Sequence, residues 1–392
     1  IRYALPKFAF SLCVYFMNIL VNASNLKKGG GVQVADSICC LLEGFTQYHF
    51  VVVLSSFMQA TRYKMKNVKN VEVVIHDVNN NVSTLLFGRD SFLDGLVKNR
   101  RIDGVLTVFG PSRWNPKCVH LSGFARSHLV MPSSPYFRQL SYLARLKEKL
   151  QNILLKYMFA RSTHFFFTEN SYISKLVGQL FRKSSVYTIT NYYNQVYDHP
   201  ENWVKKVLPP FEGITLLTVT AYYTHKNLPI SIEIARVLRK KYPNFIFRFV
   251  FTVEEAQFPV IEEELQEHFV FVGRVDIVEC PSLYEQSDIM FLPTLLECFS
   301  ATYPEAMKME CPIVTTDLEF AKGLCGNAAR YYSPLSAVEA AEAIYQVGTN
   351  VSLRKQLIDA GKQQLKTYDT YDERVSKLVR LLEHLIDVNK SN

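Results

Sequence analysis

Short apolar runs alternate with amphipathic segments over most of the chain. From residue 17 to 190 the runs are ILVNAS, FVVVLSS, VEVVI, GVLTVF, THFFFT and VYTIT, and the segments 33–43 and 136–160 have helical periodicity. This alternation predicts βαβ units, in which a parallel sheet is covered by helices on both faces. Residues 108–131 fit neither pattern, and we predict a loop there at the carboxyl edge of the sheet.

A second alternating series follows residues 191–213, which are rich in Asn, Pro and aromatic residues and are predicted to form a linker. Its runs are ITLLTVT, FIFRFVFT, FVFVG, DIMFLPT, PIVTT and ARYYS, with helices expected from about 230, 300, 336, 352 and 371. The prediction is an α/β chain of two doubly wound, Rossmann-like domains facing a central cleft, where ligands bind in such folds. We expect domains over 17–208 and 209–370, a final helix over 371–392, and an extension outside the fold over 1–16.

Composition supports a soluble globular chain without selecting a ligand class. The chain has 392 residues, which favours two domains, and 48% of them are hydrophobic. Its net charge of +8 suits phosphate-bearing ligands or an anionic membrane surface. Nucleic acid is not expected, because no binding motif accompanies the charge. The eight cysteines lack metal-site spacing and most lie in apolar runs, so we predict free thiols in a reducing cytoplasm.

The densest candidate site is ECFSATYPEA, residues 297–306, between two predicted strands. A helix that begins near Ser300 leaves backbone N–H groups without intrahelical partners, and its dipole favours an anion. Glu297 precedes that helix and Glu305 lies in its early turns. Two carboxylates beside an anion site suit a ligand with phosphate in the middle and hydroxyls at both ends, as in a nucleotide sugar. The alternative is a pair of surface or capping glutamates.

Two further motifs lie on the same predicted sheet edge. TAYYTHKNL places Lys226 in a strand-to-helix loop, where its charge can reach a diphosphate, although a lysine in a loop is commonly only solvated. FVFVGRVDIVECPSLYEQSDIMFLPT places Arg274 and Val275 after a strand and Tyr284 on a short helix. Together these motifs resemble the donor-binding domain of GT-B glycosyltransferases, specifically glycosyltransferase family 4.

The resemblance implies a role for each matching position of the donor site. Glu305 is expected to bind the ribose hydroxyls and Glu297 the transferred sugar, while Lys226 contacts the diphosphate. Sugar and diphosphate contacts are also implied for the amides around Phe299, Ser300 and Ala301, and Arg274, Val275 and Tyr284 are placed in the donor site. The family's usual Arg before the lysine is replaced by AYYTH, so His225 or Arg274 is expected to compensate.

The resemblance also makes 17–208 the acceptor-side domain, and it implies that the final helix crosses back to it. The turn LKKGGGVQVADS places Gly30 and Gly31 where a backbone can approach the diphosphate, although a plain flexible turn is an equal alternative. Among the histidines of the 108–131 loop, we favour His120 over His128 as the polar catalytic residue on the acceptor side. A structural role is the commoner one for a single histidine.

The long helix predicted around residues 136–160 has an apolar face and a basic face. Leu143, Leu146, Leu150, Ile153 and Tyr157 share one face, and Arg145, Lys149 and Lys156 lie along another. Such a helix can lie on an anionic bilayer. The favoured interpretation is that the apolar face packs into the core.

The resemblance implies retention of the anomeric configuration and no metal, and we predict a hexosyltransferase. It would move a sugar from a nucleotide diphosphate donor to a glycan or lipid-linked acceptor, in surface polysaccharide or glycoconjugate synthesis. No cofactor beyond the donor is expected, and the expected location is the cytoplasm, with peripheral contact to the inner face of the membrane as an option. A nucleotide-sugar epimerase and a non-catalytic binding subunit are the alternatives.

Overall fold

The first sheet is parallel and has seven strands. The computed structural model describes residues 17–27, 29–78 and 81–391, so the predicted extension over residues 1–16 lies outside the described residues. The strands are β1 (Met17–Ala23), β2 (Tyr48–Leu54), β3 (Val71–Ile75), β4 (Gly104–Thr107), β5 (Val119–Gly123), β6 (Phe165–Thr168) and β7 (Ser185–Thr188). They pair in the order β3-β2-β1-β4-β5-β6-β7.

The second sheet is parallel and has six strands. They are β8 (Ile214–Thr218), β9 (Phe247–Phe251), β10 (Phe269–Phe271), β11 (Ile289–Leu292), β12 (Ile313–Thr316) and β13 (Ala329–Tyr332), in the order β10-β9-β8-β11-β12-β13. In both sheets the strand order reverses beside the first strand of the domain, which places a ligand crevice at that point. The prediction of two doubly wound domains is confirmed.

Helices cover both sheets. In the first domain they are α1 (Gly30–Cys40), α2 (Gln59–Lys64), α3 (Ser91–Asn99), α4 (Ser127–Val130), α5 (Tyr136–Gln139), α6 (Tyr142–Ser162) and α7 (Ser171–Leu180). Beyond β8 they are α8 (Ile230–Lys241), α9 (Cys280–Tyr284), α10 (Thr302–Lys308), α11 (Glu319–Cys325), α12 (Ala337–Thr349), α13 (Val351–Leu365) and α14 (Tyr371–Ser391). None of the helices in the described part of the chain is both long and apolar enough to cross a bilayer.

Strand β5 lies inside the segment that was predicted to be a loop, so that prediction was wrong. Its sequence VHLSG contains two polar residues, yet all five residues are buried between β4 and β6. Burial is tolerated because the ring of His120 has hydrogen-bond partners on both of its nitrogens. Hydrophobic patterning misses a strand whose polar groups are satisfied in this way.

The helix predicted over 136–160 is two helices with a break between them. Leu140 has an extended backbone, and the side chain of Ser141 accepts a hydrogen bond from the Ala144 N–H at 3.3 Å. A serine that accepts from the amide three residues later starts a new helix. The chain therefore turns between α5 and α6.

The last helix, α14, packs on the first sheet. Val375, Leu378, Leu382 and Ile386 are buried in the same core as β1 and β2. The chain therefore leaves the first domain near residue 190 and returns to it near residue 369. The Thr190 N–H donates to Asp369 Oδ2 at 2.8 Å, and the Asp369 N–H donates to Thr190 Oγ1 at 2.6 Å. The predicted boundaries at 208/209 and 370/371 stay predictions.

Candidate functional site

The centre of the candidate site is an ion pair between two loops at the carboxyl edge of the second sheet. Lys226 Nζ pairs with Glu297 Oε1, and each residue is only 8% exposed. Thr294 Oγ1 donates to the same carboxylate oxygen at 2.9 Å. The loops themselves are joined, because the Leu295 N–H donates to the His225 carbonyl at 2.8 Å. The structure therefore brings the predicted lysine and the first glutamate into direct contact.

Glu305 lies behind this pair, on α10. It is 5% exposed, and Tyr284 Oη donates to Glu305 Oε2 at 3.4 Å. Burial raises the pKa of the Glu305 carboxyl to about 7, while the nearby hydroxyls of Tyr197 and Tyr284 and the charge of Lys226 act in the opposite direction. Lys226 thus acts on both glutamates, although only Glu297 is in an ion pair with it.

The loop between the glutamates leads into a short helix. α10 begins at Thr302 with Ala301 as its N-cap residue, close to the predicted start at Ser300. Ser300 is buried with its hydroxyl 3.4 Å from Thr302 Oγ1, and Phe299 is half-buried. Pro304 lies in the first turn, where the missing N–H has no intrahelical partner to lose. The small-residue turn therefore leads directly from Glu297 to the start of the helix.

The side chains of the FVFVG–SLY segment differ in how deeply they are buried: this holds for Tyr284, Val275 and Arg274. Tyr284 is fully buried on α9, and it acts on the site through Glu305. Val275 is partly buried against the core, and the side chain of Arg274 is exposed. The Arg274 N–H donates to Glu254 Oε1 at 3.2 Å. Arg274 therefore lies at the solvent-exposed rim of the candidate site. Tyr284 lies beneath the site, in the protein interior.

Residues 200–364 match the family model of glycosyl transferases group 1. The second domain is therefore similar to group 1 glycosyltransferases, and we call it the group 1 domain. No curated protein matches the chain. The predicted resemblance to GT-B glycosyltransferases is confirmed by this match and by the solved structures below.

Solved structures share the two-domain fold across nearly the whole chain. A glycosyltransferase from Rickettsia africae superposes with a TM-score of 0.67 at 14% identity, over 95% of this chain and 99% of that one. A sucrose-phosphate synthase from Thermosynechococcus elongatus gives 0.65 at 12% identity, over 95% and 100%. HepE of Anabaena, in complex with UDP and glucose, gives 0.61 at 12% identity, over 94% and 100%.

The glycine turn of the first domain faces the group 1 domain. Gly29 has φ of 75°, in the left-handed region that favours glycine, and a Cβ on it would lie 3.6 Å from Tyr223 Oη. Gly30 and Gly31, the predicted pair, are the first two residues of α1, and a Cβ on Gly30 would have no atom within 4 Å. The backbone conformation that requires glycine is therefore at Gly29, one position before the predicted pair.

His120 does not line the cleft. It lies within β5, completely buried, with Nε2 2.8 Å from Thr107 Oγ1 and Nδ1 2.5 Å from the Ser162 carbonyl. Burial lowers the pKa of its imidazole to about 4. With both nitrogens occupied and no access to ligand, His120 holds the first sheet together, and the catalytic assignment from its predicted loop position is corrected.

His128 is the histidine of the first domain that faces the group 1 domain. Its ring is edge-on to that of His225, with centroids 5.4 Å apart, and the charge of Glu297 acts on its pKa, which burial lowers. The Asn152 side chain donates to the His128 carbonyl at 3.0 Å. The histidine that we ranked second is therefore the one placed at the junction of the domains.

Sequence reasoning missed two charged residues that the first domain places near the Glu297 loop. Glu169 follows β6 directly, and burial raises the pKa of its carboxyl to about 7. Arg126 lies three residues after β5, at the N-cap position of α4. Both act electrostatically on Cys298, the neighbour of Glu297. A charged residue within three positions of the end of each of these two strands was the available signal, but β5 itself was not recognised.

Proposed function

We propose that the chain transfers a hexosyl unit from a nucleoside diphosphate sugar to a glycan or lipid-linked acceptor, with retention of the anomeric configuration. The observation that carries this proposal is the Lys226–Glu297 ion pair with Glu305 behind it, at the carboxyl edge of the group 1 domain. These groups offer a cation for phosphate and two carboxylates for hydroxyls. Synthesis of surface polysaccharide or glycoconjugate is the proposed setting.

Each glutamate receives a separate part of the donor. Glu305 accepts hydrogen bonds from the ribose hydroxyls, and its buried position behind the pair suits the end of the ligand that does not react. Glu297 accepts from hydroxyls of the transferred sugar. Lys226 contacts the diphosphate, and the amides of Phe299, Ser300 and Ala301 add neutral donors. When the donor binds, Lys226 shares its charge between Glu297 and phosphate.

Catalysis rests on positioning and on charge neutralisation. The bond from the anomeric carbon to the diphosphate oxygen breaks, the acceptor oxygen bonds on the same face, and the acceptor proton passes to the departing phosphate. His225 does not supply the missing second cation at neutral pH, because burial lowers the pKa of its imidazole to about 4. Arg274, at the rim, is the proposed substitute. We propose that no metal is needed, so chelation with EDTA should leave turnover unchanged.

A membrane-bound acceptor is supported by the outward face of α6. Seven apolar residues on this helix are exposed, in contrast to the core packing that we favoured: Tyr142, Leu143, Leu146, Leu150, Ile153, Leu154 and Tyr157. The inner face is formed by Ala144, Asn152, Leu155 and Phe159. The exposed lysines Lys147 and Lys149 lie at the two margins of the apolar stripe. An apolar stripe with basic margins suits an anionic bilayer, and we propose that α6 lies on one.

The decisive experiment is a screen of UDP-, GDP- and other nucleotide sugars for thermal stabilisation of the full chain. A ligand at about 100 times its dissociation constant adds roughly 2.7 kcal/mol to the free energy of unfolding. Stabilisation by one nucleotide class supports the donor site, and the absence of any shift contradicts it. Incubation with the bound donor alone then separates a transferase from an epimerase, which would produce a new isomer without acceptor.

A further inference from the structure

Two arginines extend from the acceptor-side wall of the cleft. Arg113 lies in the loop between β4 and β5, and Arg126 lies between β5 and α4. Both loops leave the carboxyl edge of the first sheet. This edge faces the group 1 domain, because Ser134 Oγ, a few residues beyond α4, donates to the Leu295 carbonyl at 2.6 Å.

The arginines follow two paired strands, β4 and β5, at the same sheet edge, and they lack carboxylate partners. Within residues 17–27, 29–78 and 81–391, neither guanidinium forms an ion pair or a hydrogen bond. The charge of Arg113 lowers the pKa of Arg126, in addition to the larger effect of burial in the cleft. Arg126 is nevertheless accessible to solvent, and Arg113 is partly so. Two like charges are thus held together without a neutralising group from the described chain.

Arg126 is also close to the proposed reacting centre. Its charge acts on Cys298, which adjoins Glu297, and on His128, whose ring contacts that of His225. An anion bound to Arg126 would therefore lie beside the sugar that Glu297 is proposed to bind. The donor diphosphate has its own cation, Lys226, on the opposite wall.

The positions of both loops are fixed by α6. Arg161 Nη2 donates to the Arg113 carbonyl at 3.1 Å, and Arg161 Nη1 donates to the Leu85 carbonyl at 2.9 Å. The Asn152 side chain binds the His128 carbonyl, two residues after Arg126. The backbones that carry the two arginines are therefore both tied to α6, which limits the region that their side chains can reach.

We propose that Arg113 and Arg126 bind an anionic group of the acceptor, a phosphate or a carboxylate, beside the hydroxyl that receives the sugar. Guanidinium groups present forked N–H donors that match both anions. The inference rests on the proposed function, because it takes the first domain as the acceptor side. It adds that neutral acceptors bind poorly.

The test measures binding of three anions to the full chain by calorimetry: glycerol 3-phosphate, glucuronate and inorganic phosphate, with glycerol and methyl glucoside as neutral counterparts. Arg113→Gln and Arg126→Gln are compared with Arg182→Gln, which changes an exposed arginine of the same domain. We expect each site variant to lower the affinity for the preferred anion about ten- to a hundredfold, because charge-assisted hydrogen bonds are removed. The control variant and the neutral compounds should show no change.

Nucleoside diphosphate affinity is measured on the same variants, and unchanged values show that they are folded. A loss of diphosphate affinity with Arg126→Gln overturns the proposal, because it places Arg126 on the donor. Wild-type protein that binds none of the three anions also overturns it. If no nucleotide binds at all, the proposed function fails, while the anion measurements still decide the role of the arginines.

Discussion

Lys226 and Glu297 form an ion pair that joins the loop after β8 to the loop after β11, at the point where the donor is proposed to bind. Thr294 Oγ1 donates a hydrogen bond to the carboxylate oxygen that the lysine contacts. The pair therefore has a structural role in the free protein in addition to its proposed role with the donor. A variant at either position changes both, and the predictions below separate them.

Removal of the lysine alone should destabilise the protein. Lys226→Met leaves the Glu297 carboxylate buried without its cation, and breaking a buried pair typically costs about 3–5 kcal/mol. The double variant Lys226→Met with Glu297→Gln should recover most of that free energy of unfolding and remain inactive. Denaturant unfolding of the two singles and the double gives the coupling energy. Additive effects would contradict a direct interaction.

The two glutamates should differ in ligand dependence. Glu305→Gln should lower the affinity for a nucleoside diphosphate and for its sugar derivative equally, by about ten- to a hundredfold, because ribose is common to both ligands. Glu297→Gln should lower turnover and the affinity for the sugar donor, with nearly unchanged affinity for the free nucleoside diphosphate. Calorimetry with both ligands on both variants is the measurement. Equal losses of diphosphate affinity would refute the separate roles.

Stability should depend on pH through Glu305. Its folded-state pKa of about 7 lies above the ordinary value of 4.5, so between these pH values the folded chain holds a proton that the unfolded chain has lost. This contribution stabilises the protein at pH 4.5 and disappears as the pH rises through 7, a change of about 3 kcal/mol. The Glu305→Gln variant lacks this titration, so its Tm minus that of wild type should increase from pH 5 to pH 8. The exposed Glu285→Gln serves as the control, and parallel profiles for both variants would disprove the assignment.

The exposed face of α6 should bind vesicles. Leu150→Glu with Ile153→Glu should reduce partitioning to vesicles of phosphatidylcholine and phosphatidylglycerol by at least tenfold, because each apolar side chain contributes about 1.5–3 kcal/mol on burial. Val260→Glu changes a residue that is 97% exposed in the other domain, and it should have no effect. Co-sedimentation at low and high salt measures the partitioning. Equal binding by all variants would place the contact elsewhere.

The donor-side glutamates were predictable because the sequence pattern that identifies them lies within one short segment. A strand, a small-residue turn and a helix start follow one another within residues 288–308, and the sheet edge then brings Lys226 to them. The arginine pair was not predictable, because it depends on β5, where the polar residue His120 interrupts the apolar pattern and is buried through its hydrogen bonds. The periodicity of α6 shows that an apolar stripe exists. It does not show which stripe the neighbouring elements leave uncovered.

The return of α14 to the first sheet determines how the second domain is attached. The outgoing chain at Thr190 and the incoming chain at Asp369 are hydrogen-bonded side by side, so the two passages form a single joint. We expect any change in the width of the cleft to bend both passages at this joint. Loss of the last twenty residues would remove nearly all of α14 and leave the apolar groove of the first sheet bare.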